Sequence, residues 1–351
     1  MVTDRRVRVH ARLTSIVAVL ICCALAGFVV LLGGLQSQTL SFFKLRPHLA
    51  GENSTSALLE TFLAAPLPRR NTNLSVDAPL FFIHQRKAGG SSVRAAILDA
   101  AQQAGLPFFI PCYGDPVVHC DTYSIGRAPP AAIYGGHLPW AERKELSRRA
   151  TFDGSIWHNP LNNASCLTMF REPIARLESC FYYRFLQGGH NRSEPRISDP
   201  RFKCLSNLTG SELRNMFHGR TVYGRGCLNE PFRMLSGLSD EGDLADLSTQ
   251  PVDGPTVTAA VRLTLSHAAT CVPIVLEDPR TLQLVRHWFP QLSGAFKTLR
   301  HMNAGSVKRC KLTDDTRAVL TELAAAESIV YDVVRQRVEV MLAALPEKHQ
   351  R

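Results

Sequence analysis

The strongest pattern near the start of the chain is an apolar run without a single charge from Leu13 to Leu35. Wound as a helix it would be about 34 Å long, enough for the roughly 30 Å hydrocarbon core of a bilayer. The pattern therefore predicts a transmembrane signal-anchor over 13–35. Arg5, Arg6, Arg8 and Arg12 precede the run and only Lys44 and Arg46 follow it closely. This bias makes residues 1–12 a cytosolic tail and exports the remainder. A cleaved signal peptide is the rival, but its apolar core would run only about 7–15 residues. Residues 36–77 are rich in Ser, Asn, Thr and Pro without sustained periodicity, which suits a stem.

From 78 to 351 the pattern changes to short apolar runs alternating with helical spacings, so this part is expected to be one exported folded domain. Leu80 to His84, Ala131 to Tyr134, Cys166 to Phe170 and Val272 to Leu276 read as strands. Between them, Val93, Ala96, Ile97, Ala100 and Ala104 share one helical face, and Ile174, Leu177, Phe181 and Phe185 share another. Thr313 to about Leu345 closes the chain as one long helix or a helix pair, with Thr313 as N-cap. Strands alternating with helices predict an α/β fold around a parallel sheet flanked by helices. Over 186–265, Gly, Asn, Arg and Pro interrupt every pattern.

Composition sharpens this picture in three ways. At 45% hydrophobic and 20% charged residues over 351 positions, most of the chain is excluded from disorder. A formal charge of +10 favours an anionic partner without naming it. Asn53, Asn73, Asn163, Asn191 and Asn207 each begin an Asn-x-Ser/Thr triplet beyond the apolar run, as expected of an exported chain. Ten cysteines include Cys22 and Cys23 in the run, leaving Cys112, Cys120, Cys166, Cys180, Cys204, Cys227, Cys271 and Cys310 outside it. Short separations suggest Cys112 with Cys120 and Cys204 with Cys227, with Cys166 a buried thiol inside its strand. No Cys-x-x-Cys pair is present, and no metal is called for.

Two segments carry candidate chemistry. After the strand ending at Ile83 and His84, Gln85-Arg86-Lys87-Ala88-Gly89-Gly90 reads as a loop and Ser91-Ser92 as a helix start. Glycines let backbone N–H groups approach an oxyanion, and Lys87 adds a full charge, so the loop suits a phosphate or sulfate. It is not a Walker A loop, since Lys87 precedes the glycine pair. Ordinary turn chemistry is the plainer alternative. The second segment repeats the design: strand Cys166 to Phe170, turn Arg171-Glu172-Pro173, then a helix whose apolar stripe leaves Arg176 and Ser179 aside. Arg171 and Ser179 are candidates to meet one phosphate; the alternative is a surface Arg with a solvated Ser. Between the two lies Tyr134-Gly135-Gly136-His137-Leu138-Pro139-Trp140. A His at a strand end can accept a hydroxyl proton, and the alternative is a structural His closing the loop. His84 is its nearest competitor, with an orienting or packing role.

Together, HQRKAGGSS at 84–92 and FREPIARLES at 170–179 resemble the two nucleotide-binding signatures of the membrane-anchored carbohydrate sulfotransferases, close to FIHIPKTGGTS and LRDPVSRYLS. The stretch from His137 to Glu142 resembles the HADWTEL segment of heparan sulfate 6-O-sulfotransferases, matching at His, Trp and Glu. The resemblance implies a P-loop-like fold of the type that uses 3'-phosphoadenosine 5'-phosphosulfate (PAPS). Lys87, Ala88, Gly89, Gly90, Ser91 and Ser92 then hold the 5'-phosphosulfate, Arg171 and Ser179 the 3'-phosphate, and His137 is the catalytic base, with Lys87 stabilising the leaving group. Ala88 and Glu172 depart from the commoner Thr and Asp, and Gln85-Arg86 from Ile-Pro. Arg300 to Lys311 resembles a loop that closes over the nucleotide, and a solvated basic loop explains it equally. The implied acceptor is a glycan or polysaccharide and the implied location a Golgi membrane, which leaves nucleic acid out. A Golgi glycosyltransferase and a glycan-binding membrane glycoprotein are the rivals. The former often carries Asp-x-Asp, which this chain lacks.

Overall fold

The computed structural model describes residues 59–110, 129–138, 140, 164–183, 200–218, 227–236, 247–297, 299 and 310–346. All belong to the second of two units into which the chain divides, Gly51–Arg351. Five strands form one sheet: β1 (Leu80–Ile83), β2 (Phe108–Phe109), β3 (Ile133–Gly136), β4 (Ser165–Phe170) and β5 (Cys271–Val275). Their order is β2-β3-β1-β4-β5, and every pairing is parallel. Parallel strands are covered on both faces, and every residue of β1, β3, β4 and β5 is buried. Helices α1 (Gly90–Gln103), α2 (Pro173–Phe181), α3 (Gly210–His218), α4 (Glu230–Leu235), α5 (Pro255–Ala268), α6 (Thr281–Trp288), α7 (Asp314–Leu323) and α8 (Ala325–Ala343) accompany it.

This corrects the expected fold class on one point. The α/β architecture with a parallel sheet stands, but among the described residues no helix is long and apolar enough to cross a membrane. The longest, α8, interrupts its apolar positions with Glu327, Asp332, Arg335, Arg337 and Glu339. The run at 13–35 lies outside the described residues, as does the tail before it.

Other differences are local. Residues 59–77, read as the end of a stem, bury Leu59, Phe62 and Leu74 in the main core. Arg337 on α8 holds that segment by donating to the carbonyls of Leu63 (2.7 Å), Ala65 (2.6 Å) and Pro66 (2.8 Å). The closing segment is a helix pair, α7 with Thr313 accepting from the Thr316 N–H at 3.3 Å, then α8. Helices α3, α4 and α5 occupy parts of the stretch whose sequence shows no period.

A second, smaller core gathers Leu177 and Phe181 of α2, Leu213 and Phe217 of α3, and Leu320 and Leu323 of α7. Two disulfides serve it, Cys180–Cys227 and Cys204–Cys310, and a third, Cys166–Cys271, joins β4 to β5. These overturn two expectations: Cys204 pairs with Cys310 and not Cys227, and Cys166 is no free thiol. Separation in sequence misled because packing decides the partners: Cys166 lies directly opposite Cys271 in the β4–β5 register. Cys112 and Cys120 lie outside the described residues. The three disulfides among the described residues belong to an oxidising compartment.

Candidate functional site

The strand order locates the site. From β1 the chain goes toward β2 and β3 on one side, and from β4 toward β5 on the other. Connections diverging from neighbouring strands open a crevice at their carboxyl ends, where open α/β sheets receive ligands. The segments leading from β1 and β4 are the two with candidate chemistry.

After β1 the backbone turns sharply. Lys87 has φ 60° and Gly89 φ 89°, both in the left-handed region, where Gly89 is at ease and Lys87 is unusual. Gly90 answers a different need. A Cβ there would fall 1.7 Å from His84 Cδ2 and 2.0 Å from its Nε2, so the imidazole fills the space a side chain would take. Helix α1 starts with no side-chain cap. Among the described residues nothing accepts from the N–H groups of Gly89, Gly90 or Ser91, while the Ser92 N–H turns back to the Gly89 carbonyl at 3.1 Å. Ala88 is buried beneath the loop. The Lys87 ammonium rests 3.8 Å above the centroid of the Tyr183 ring.

After β4, the Arg171 guanidinium crosses to this loop and donates to the Lys87 carbonyl at 3.0 Å. Its Nε lies 3.9 Å from Glu277, whose other oxygen accepts from Tyr331 Oη at 3.1 Å. Arg171 and Lys87 thus lie on one rim of the sheet. Glu172 spends its carboxylate locally, accepting from the N–H groups of Ile174 (3.1 Å) and Ala175 (2.6 Å) as the cap of α2. The sequence reading that α2 leaves Arg176 and Ser179 aside is corrected: both are buried. Arg176 donates from Nε and Nη2 to Glu327, and from Nη2 to the Cys227 carbonyl at 2.6 Å. Ser179 lies six residues into α2, about 9 Å along its axis from Pro173.

His137 follows β3 directly. Its Nδ1 lies 2.9 Å from the His84 carbonyl. A carbonyl only accepts, so Nδ1 carries the proton and Nε2 of the neutral ring is left as the acceptor. The two imidazoles stack with centroids 4.1 Å apart. Burial first, then Arg86 and Arg233, hold the pKa of His137 well below the usual histidine value; burial and then His137 do the same for His84. Both rings are neutral near pH 7. Among the described residues, nothing hydrogen-bonds to the buried His84 Nδ1 or Gln85 Oε1.

Beneath the loop sits Glu230, completely buried. It accepts from the Arg86 N–H at 2.8 Å and from Arg233 Nε at 2.9 Å. Burial pushes its pKa up, but Arg233 and Arg86 outweigh this and keep the carboxyl below the ordinary range. Sequence reasoning missed Glu230, Arg233 and Tyr183. The one available hint was the acid of Asn229-Glu230-Pro231 at a helix start.

The fold thus brings together Lys87, Ala88, Gly89, Gly90, Ser91, Ser92 and Arg171, with His137 tied to the same loop through His84; Ser179 is buried on the helix that follows Arg171. Residues 300–309 of the expected closing loop lie outside the described residues. Among the described residues no group of three or more His, Cys, Asp or Glu could hold a metal ion. No protein-family model matches the chain, and no curated protein matches it.

Proposed function

We propose that this protein transfers a sulfuryl group from PAPS to a hydroxyl of a glycan or polysaccharide. The observation that carries the reading is the bond from Arg171 to the Lys87 carbonyl. It sets two cations beside a row of backbone donors that no described residue takes up, a combination that suits a ligand with phosphate groups at two ends. Gly89 and Gly90 cannot carry side chains without displacing Leu276, Met169 and His84, so the loop keeps a bare backbone at these two positions.

In this reading the N–H groups of Gly89, Gly90 and Ser91, with Ser92, hold the 5'-phosphosulfate above Ala88. Lys87 leaves the Tyr183 ring to meet the leaving phosphate oxygen. Arg171 and Ser179 bind the 3'-phosphate. The donor supplies an electrophilic sulfur attached to a phosphate leaving group. His137 Nε2 accepts the acceptor hydroxyl proton, and the His84 carbonyl keeps the imidazole in the tautomer that can do so. Positioning and fixed charge supply most of the acceleration, as in phosphoryl transfer. The oxidising compartment we assign is the Golgi lumen, where glycans are modified.

The test is transfer of radiolabelled sulfate from PAPS to a panel of desulfated polysaccharides. His137→Ala should cost about a hundred- to ten-thousand-fold and Lys87→Ala about a hundred- to a thousand-fold. Donor-product affinity should fall for Lys87→Ala and hold for His137→Ala. Sulfation surviving both substitutions would falsify the site, and transfer from a nucleotide sugar instead of PAPS would replace the reading with glycosyl transfer.

A further inference from the structure

The parallel sheet has a second rim, at the amino ends of its strands, and a polar cavity of about 270 Å³ opens there. Its lining includes Arg69, Arg70, Asn71, Thr72, Asn73 and Ser165. Ser165 begins β4, so the cavity lies at the opposite end of the strands from Lys87 and Arg171. No carboxylate lines it. Its walls are fixed: Asn71 Nδ2 donates to the Ala78 carbonyl (2.8 Å) and to Ser165 Oγ (3.1 Å), and Arg70 Nε donates to the His287 carbonyl (2.8 Å).

Asn73 is both a wall of this cavity and the acceptor of the triplet Asn73-Leu74-Ser75. The triplet is held with its middle residue down: Leu74 is buried while Asn73 is exposed. The volume is slightly below the roughly 300 Å³ at which pockets for drug-sized ligands begin, so it has room for one sugar ring and not for a chain. Arginine, threonine and amide groups suit the hydroxyls and acetamido oxygen of a hexosamine.

We infer that Asn73 carries an N-linked glycan whose first N-acetylglucosamine seats in this cavity. In the attachment, the Asn73 amide nitrogen bonds to the anomeric carbon of a lipid-pyrophosphate oligosaccharide. The bond from that carbon to the pyrophosphate breaks, the lipid pyrophosphate leaves with the electron pair, and the amide gives up one proton. Ser75 also lines the cavity, and its hydroxyl holds the turn by accepting from the Ala78 N–H at 3.2 Å. Asn207 provides the internal comparison. It too is exposed and heads a triplet, but Thr209 of that triplet is committed to α3, donating to Glu212 at 2.9 Å and accepting from the Glu212 N–H at 3.2 Å. No residue of that triplet lines the cavity beside Asn73.

The full chain is expressed in a eukaryotic secretory cell with high-mannose glycans, and Asn73 glycopeptides are measured by mass spectrometry. One portion is trimmed with an endoglycosidase that leaves a single N-acetylglucosamine on each site. Trimming should leave the melting temperature unchanged, Asn73→Gln should lower it by about 2–4 °C, Asn207→Gln should not move it, and Ser75→Thr should retain both glycan and melting temperature. An unmodified Asn73 overturns the inference. So does a trimmed protein that melts with Asn73→Gln, or an Asn73→Gln protein that melts with the untreated one.

Discussion

The unit β1–loop–α1 and the unit β4–turn–α2 share a design, yet their helices begin in opposite electrical states. Helix α2 is closed by its own sequence: Pro173 removes one donor, and Glu172 satisfies two more with a full negative charge. Helix α1 begins at a left-handed glycine with no side-chain cap. A helix start left open costs stability, and the cost is offset when an anion arrives. The second unit therefore has no vacancy for a phosphate at its helix. What it offers is Arg171, projected across to the first unit. The lesson is that a repeated strand–turn–helix pattern does not imply a repeated site. One unit receives the anion, and the other supplies a cation and a strut.

The largest expected effect comes from giving the first unit the electrical character of the second. Ser91→Asp places a carboxylate in the first turn of α1, where it meets the same N–H groups that would face the ligand. Stability should hold or rise by about 0.3–1 kcal/mol from the helix dipole. Affinity for the donor product should fall at least a hundredfold, since apposed like charges cost several kcal/mol. Calorimetric titration beside thermal unfolding reads both. If stability and affinity fell together, the substitution would have damaged the loop, and Ser91→Asn would separate charge from shape.

Next in size is Gly90→Ala. The methyl group must displace a buried imidazole that has no flexible end to swing away, and overpacking of this kind costs about 1–3 kcal/mol. Because His84 also carries the carbonyl that orients His137, turnover should fall along with stability. Unfolding in urea measures the stability loss.

The two histidines make the first unit sensitive to acid. Both have folded-state pKa values held well below the ordinary one, by burial before all else. The unfolded chain then binds protons below about pH 6.5 that the folded chain refuses. Their contribution is fully present above that pH and is lost as pH falls toward the folded values. The proposed base stays neutral over the same range, so the acid limb of the rate profile should lie below pH 6.5. Chemical shifts of the His137 ring protons, followed through a titration, check this directly. An ordinary histidine midpoint would contradict the packing of the two rings.

Much of this comparison was legible in the residues. The strand runs at Leu80 and Cys166, the glycine pair, Lys87 and Arg171 all declare themselves by periodicity and punctuation. The end of the region 186–265 hid most of a helix: Val257, Ala260, Val261, Thr264 and Leu265, continued by Ala268 just beyond it, form the buried stripe of α5, and Gly254-Pro255 marks its start. Attention to interruptions concealed it. Other features had no local signal. Arg176 meets Glu327 across 151 positions, and a charged residue beside an apolar stripe reads as solvated until the fold supplies its partner. Disulfide pairing failed for the same reason. Ser179 was placed by its spacing from Arg171 and by the family resemblance, and its burial inside α2 was not legible from that spacing.

The smallest expected effect tests the second unit's cap. Glu172→Ala removes the acceptor of two N–H groups, and loss of a cap costs about 1 kcal/mol. For a domain of this size that lowers the melting temperature by about 2–4 °C. Donor-product affinity should stay within about twofold, because the freed donors of α2 are not the ones that face the crevice and Arg171 keeps its bond to the Lys87 carbonyl. Glu172→Gln should recover much of the stability through its amide oxygen, though less than the full charge gave. Should Glu172→Ala instead tighten binding, the second helix start would be a latent phosphate seat held shut by its own carboxylate. The two units would then differ in occupancy and not in kind, and the division of labour between them would have to be redrawn.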